Sequence, residues 1–182
     1  MLDNLITLVK QNASAVLNNP DIPAEKKEEA INLAGTSIVG GLQSALAKGG
    51  AKDVMSLFNS TPDTLGTNPI MQYISGSYGD ALVGKLGLNT QQAGTISSAL
   101  MVPVMNQFIS QTNDSSNKTF DMQQMFNELS DGKTSGFNVS SLFAKFKAGM
   151  DRDGDGDVDM DDFKSLFAGS GGLLDKIKGA FK

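Results

Sequence analysis

The spacing of the apolar residues constrains this chain most: they recur at intervals of three and four along nearly its whole length. Leu2, Leu5, Ile6, Val9, Ala13 and Val16 form one stripe, and Ile31, Ala34, Ile38, Leu42 and Ala45 a second. Ile70, Ile74, Tyr78, Ala81 and Leu82 form a third, and Ile96, Leu100, Val104 and Phe108 a fourth. Side chains three and four apart share one face of a helix, whereas a half-buried strand alternates at every second residue. The spacing therefore predicts an all-α fold, a glycine-rich helical bundle. Apolar residues make up 40% of the 182 positions, enough for a buried core.

The punctuation between stripes agrees. Asn18-Asn19-Pro20 predicts the end of the first helix, because a residue before proline avoids the helical region. Pro23 suits the start of the second helix, where a missing N–H costs nothing. Asn68-Pro69 reads as a cap followed by proline at the first helical position. Gly87-Leu88 reads as a left-handed stop, and Asn89 as the cap of the next helix. Pro103 falls inside the fourth stripe, and the expectation is a kink or a new segment, since its ring opposes the carbonyl of residue 99. Gly35, Gly40 and Gly41 lie inside the second stripe. Each interior helical glycine costs about 1 kcal/mol relative to alanine, and close approach of another helix is the expected compensation. Polar loops are expected at 112–119 and 130–136. This divides the chain into a helical domain at 1–135 and a C-terminal unit at 136–182, which closes with an amphipathic piece from Leu173 to Phe181.

A six-residue phrase recurs four times, at Asp53–Phe58, Asp121–Phe126, Asn138–Phe143 and Asp162–Phe167. Each copy begins with a capping side chain and carries apolar residues at its second, fifth and sixth positions. The favoured reading is a short capped helix stapled to the core, with a reused docking element as the alternative. The longer stretches 30–59 and 93–127 also correspond, pairing Val39 with Val102, Leu42 with Met105 and Leu57 with Met125.

Charge is concentrated in one place. The net charge is −5, yet residues 151–162 hold seven aspartates and the only arginine, Arg152, and sum to −6. The remaining residues carry 13 acidic groups against 14 lysines. Such a knot points to a cation, and nothing in the chain has the basic footprint of a nucleic-acid binder. Histidine and cysteine are both absent, which excludes disulfides, zinc sites built on those residues, thiol nucleophiles and histidine-based triads. Gly132-Lys133-Thr134 ends like a phosphate-binding loop, but Asn127 stands where that loop needs glycine. Asp3 interrupts the region a signal peptide would make positive, and no run approaches 18 apolar residues. A cytoplasmic protein without a membrane span is the expectation.

The knot reads DRDGDGDVDMDD from Asp151 to Asp162. Acidic residues alternate, so every second carboxylate can turn inward while the chain wraps an ion. Set against a twelve-residue EF-hand loop, which the segment resembles, Gly156 falls at the position of the sharp turn and Val158 at the position whose apolar residue packs inward. A hard cation such as calcium takes six to eight oxygens at about 2.3–2.6 Å. Without one, seven aspartates in twelve residues repel each other. With Phe143 and Phe146 before it and Phe163, Leu166 and Phe167 after it, the segment resembles the EF-hand calcium-binding family over residues 139–168. The resemblance implies a helix–loop–helix with Asp151, Asp153, Asp155, Asp157 (through its main chain), Asp159 and Asp162 as ligands. Two departures stand out. Asp162 occupies the last ligand position, where the family has a bidentate glutamate, which lowers the expected calcium affinity and narrows the gap to magnesium. The only candidate for a partner loop is a degenerate one at 112–121, with Asn113, Asp114, Asn117 and Asp121.

A second resemblance rests on the opening Met1-Leu2 helix, on Leu86-Gly87-Leu88-Asn89-Thr90-Gln91-Gln92-Ala93, and on Leu100 and Pro103. Over residues 1–130 the chain is similar to the uncharacterised YidB-like helical family of bacteria. That implies an all-helical bacterial domain with no catalytic residues to carry over. The functional expectation is calcium binding, with magnesium as the competing ion, in a structural or regulatory role without enzymatic activity. The alternative is a protein-interaction or self-assembly module whose ion is incidental.

Overall fold

The computed structural model describes residues 2–130 apart from 49 and 115, together with 132, 138, 139, 141 and 143. Among them the protein is all-α, with no strand. The helices are α1 (Leu2–Gln11), α2 (Ser14–Leu17), α3 (Lys27–Ala47), α4 (Ala51–Phe58), α5 (Pro62–Leu65), α6 (Pro69–Ala81), α7 (Thr90–Asn113) and α8 (Met122–Leu129). α6 packs between α3 and α7, and α1 lies across α3 and α7. The four stripes form this interior: Leu5, Val9, Ile31, Ala34, Ile38, Leu42, Ile70, Ile74, Tyr78, Ile96, Leu100, Val104 and Phe108 are all buried in one core.

The caps form as the local sequence dictates. Asn68 Oδ1 accepts from the Ile70 N–H at 2.9 Å with Pro69 at the first helical position. Asn89 and Gln92 make a reciprocal capping box at 2.9 and 3.0 Å. α6 runs into a single π-type turn, Leu82–Leu86, and Gly87 then stops it in the left-handed region at φ 76°. Leu88 folds back into the core beyond that stop.

Three expectations are corrected. The first helix does not run unbroken to Asn18. It parts at Asn12–Ala13, where the Asn12 side-chain amide donates to the Leu8 carbonyl at 2.9 Å and to Gln107 Oε1 on α7 at 2.7 Å. The side chain thus takes the acceptor that the Asn12 N–H would have used, and that N–H turns to the Val9 carbonyl instead. Second, of the kink or new segment expected at Pro103, the new segment does not form, since α7 is one helix through it. Pro103 and Ala99 are both exposed, so the Ala99 carbonyl that loses its partner faces water. Third, Asp53 is not a cap. It lies in the first turn of α4, behind Gly50.

The glycines of α3 divide sharply. A Cβ on Gly35 would stand 3.0 Å from Ile6 Cγ1, and one on Gly41 would collide with Ile74 Cγ1, so both glycines permit close helix contact. Gly40 has open space above it. Inside α6, the Tyr78 phenol is buried without a hydrogen-bond partner among the described residues, and burial pushes its pKa up.

Candidate metal centre

The segment leading toward the aspartate-rich loop is built on α8. Asp121 caps this helix, its Oδ1 accepting from the Gln124 N–H at 2.9 Å. The residue before it, Phe120, is buried with its ring edge-on to Phe108 at 5.1 Å. Met122, Met125 and Phe126 then face inward, and the Phe126 ring meets Phe58 at 6.2 Å. After α8 the chain turns at Gly132, whose N–H reaches back to the Asn127 carbonyl at 2.8 Å with φ at 79°.

The next copy of the repeated phrase starts a further helical stretch. Asn138 Oδ1 accepts from the Ser141 N–H at 2.8 Å, and residues 139, 141 and 143 are helical. The Val139 N–H donates to Gln123 Oε1 on α8 at 2.7 Å. Val139 is 2% exposed and Phe143 8%, and both join the core of the helical unit. This tie was not readable beforehand. Gln123 sits at an unremarkable third position of its phrase, and only the packing of the following segment brings a backbone donor to it.

The predicted ligands Asp151, Asp153, Asp155, Asp157, Asp159 and Asp162 lie outside the described residues, as do Phe146, Phe163 and Phe167 and the terminal piece from Leu173. Among the described residues no group of three or more acidic side chains is arranged to hold a metal ion. The 112–121 stretch in particular uses its polar groups on itself. Asp114 Oδ1 accepts from the Ser116 N–H at 2.9 Å and from the Ser116 hydroxyl at 2.6 Å, bonds that hold its carboxyl below the ordinary carboxylate range. Asn117 Oδ1 accepts from the Thr119 N–H at 2.8 Å, and Asn113 Nδ2 donates to the Phe58 carbonyl at 2.8 Å. With Asp121 engaged as a cap, the described polar groups of this stretch serve turns and a helix start.

The described surface has hollows on more than one side. One of about 190 Å³ is bordered by Asn4, Lys118, Asp121, Gln124 and Glu128. Another, of about 510 Å³, is bordered by Ser60, Pro62, Asn106, Ile109 and Asn113. No described helix is long and apolar enough to cross a membrane. Compared with protein-family models, curated proteins and solved structures, the chain matches none. The two family resemblances therefore rest on the residues quoted for them.

Proposed function

We propose that this protein binds a divalent cation, calcium ahead of magnesium, through one EF-hand-like loop at Asp151–Asp162, in a structural and non-catalytic role. The observation that carries the reading is the register of the loop: alternating carboxylates with Gly156 at the turn and Val158 at the inward apolar position. The donor set is all oxygen, which suits a hard cation and not a thiolate-seeking one. Asp151, Asp153, Asp155, Asp159 and Asp162 would supply carboxylate oxygens and Asp157 a main-chain carbonyl. The bound ion would neutralise a segment that otherwise repels itself. A non-catalytic role accords with the absence of histidine and cysteine, which leaves carboxylates, lysines and tyrosines as the only acid–base groups.

Calorimetric titration of metal-free full-length protein with calcium and with magnesium tests this. Heat of binding to calcium that Asp151→Asn with Asp155→Asn abolishes is the expected result, and no heat with either ion refutes the site. A second reading makes the helical unit the acting part, in protein interaction or self-association. It draws on Tyr73, 51% exposed with the Lys48 ammonium 5.6 Å from its ring centre, and on the exposed Val83 further along the same helical run. Under it the same double variant leaves association unchanged.

A further inference from the structure

The hollow of about 510 Å³ lies between the C-terminal third of α7 and the chain that joins α4 to α5. Its size falls within the range of ligand clefts, about 300–1,000 Å³. Asn106, Ser110 and Asn113 are four and three residues apart, so they share one face of α7. Ser60 and Pro62 border the hollow from the other element, and Ile109, 5% exposed, adds an apolar contact. Asn113 Nδ2 donates to the Phe58 carbonyl at 2.8 Å, which ties the two walls together before anything binds. Asn106 is half-buried, yet among the described residues neither its amide nor the Ser110 hydroxyl has a hydrogen-bond partner. At the end of the row stands Asp114, whose carboxyl is held ionised by its bonds to Ser116.

We propose that this groove binds an extended, basic peptide segment, its backbone paired with the Asn106 amide and a lysine or arginine set beside Asp114. A side-chain amide offers an acceptor oxygen and donor N–H groups side by side. In an extended strand the N–H and C=O of one residue point to the same side, which is how paired strands exchange two bonds. Asn106 therefore matches one residue of such a strand, and Ser110 can bond a neighbouring one. Asn106 and Asp114 are eight residues apart, about 12 Å along the helix. An extended chain covers that distance in about four residues. The lining also decides against other ligands. It contains no lysine or arginine to hold an anion and no aromatic ring on which a sugar or a base would stack. The one charge in it is negative, and it complements a cation. None of this depends on the cation loop, because no residue of 151–162 takes part.

The test is a titration of full-length, nitrogen-15-labelled protein followed by NMR. The probe is the blocked peptide acetyl-Lys-Ala-Ala-Ala-Lys-amide, which sets a cation beside Asp114 in either direction. Saturable shifts of the Asn106 side-chain amide and of the Ser110 backbone amide are the expected result. Asn106→Ala is expected to weaken binding about fivefold or more, the loss of two hydrogen bonds. Should that variant fail to fold, Ser110→Ala carries the test with a smaller loss. Gln91→Ala, exposed at the far end of α7, leaves binding unchanged. A blocked pentaproline, which has no backbone N–H to give, is expected to bind weaker than the lysine peptide by a similar factor. The counterpart with glutamate in place of lysine is expected to bind about threefold weaker, and Asp114→Asn to remove that preference. Absence of saturable shifts, or wild-type affinity in a folded Asn106→Ala, overturns the site. Equal binding of the lysine and glutamate peptides overturns the basic partner. Binding of cellotriose at these residues in place of the peptide overturns the proposal in favour of a carbohydrate.

Discussion

α3 with α4 and α7 with α8 are two versions of one arrangement. In each, a long helix leads to an eight-residue helix, and the short helices bring Phe58 and Phe126 together at 6.2 Å. Leu42 and Met105 are both fully buried, Leu57 and Met125 both face the core, and Val39 and Val102 are both partly covered. The two differ in how the short helix begins. α4 follows α3 after a tight turn in which the Gly50 N–H bonds the Ala45 carbonyl, and Asp53 sits in its first turn. α8 follows an eight-residue connection, and Asp121 is its cap. The same phrase thus starts its helix at different points. Its apolar positions decide which face is buried, and the preceding residues decide where the helix begins. Before Asp53, Ala51 and Lys52 are already helical; before Asp121, the buried Phe120 is pinned against Phe108 at 5.1 Å.

The largest expected effect tests whether the two short helices share one core. Phe58→Ala and Phe126→Ala should each destabilise by about 3–5 kcal/mol in chemical denaturation. Their double-mutant cycle should show a coupling of about 0.5–1.5 kcal/mol from the ring pair. Additivity would mean that the two halves do not meet in solution as described.

Next is a contrast within α3. Gly41→Ala should destabilise by about 1–3 kcal/mol, because its Cβ meets Ile74. Gly40→Ala, one residue earlier, should stabilise by up to about 1 kcal/mol, since helix propensity improves and nothing lies above it. Thermal melts of the two variants moving in the same direction would defeat the packing of α3 against α6.

The smallest effect separates the two aspartates. Asp121→Ala should cost about 1 kcal/mol as a lost cap. Asp53→Ala should cost only about 0.3–1 kcal/mol, the worth of a carboxylate near a helix N-terminus. Equal losses in urea titrations would erase the distinction drawn between α4 and α8.

Much of this architecture is readable before any coordinates, because the forces responsible act within three or four residues. Asn68 and Asn89 each need only their own backbone to cap a helix, Gly87 needs only its missing Cβ, and the apolar stripes need only the helical repeat. The candidate cation ligands belong to the same class: their types and spacing, from Asp151 to Asp162, are properties of the string of residues alone. Tertiary structure decided the rest, since each remaining question turns on what another element sets opposite. Gln107 across from Asn12 helps part the first helix, Ile74 makes Gly41 necessary while Gly40 is not, and water facing Ala99 lets α7 carry Pro103. Gln123 became a partner for Val139 only once residues distant in sequence were packed side by side, where a buried N–H must find an acceptor.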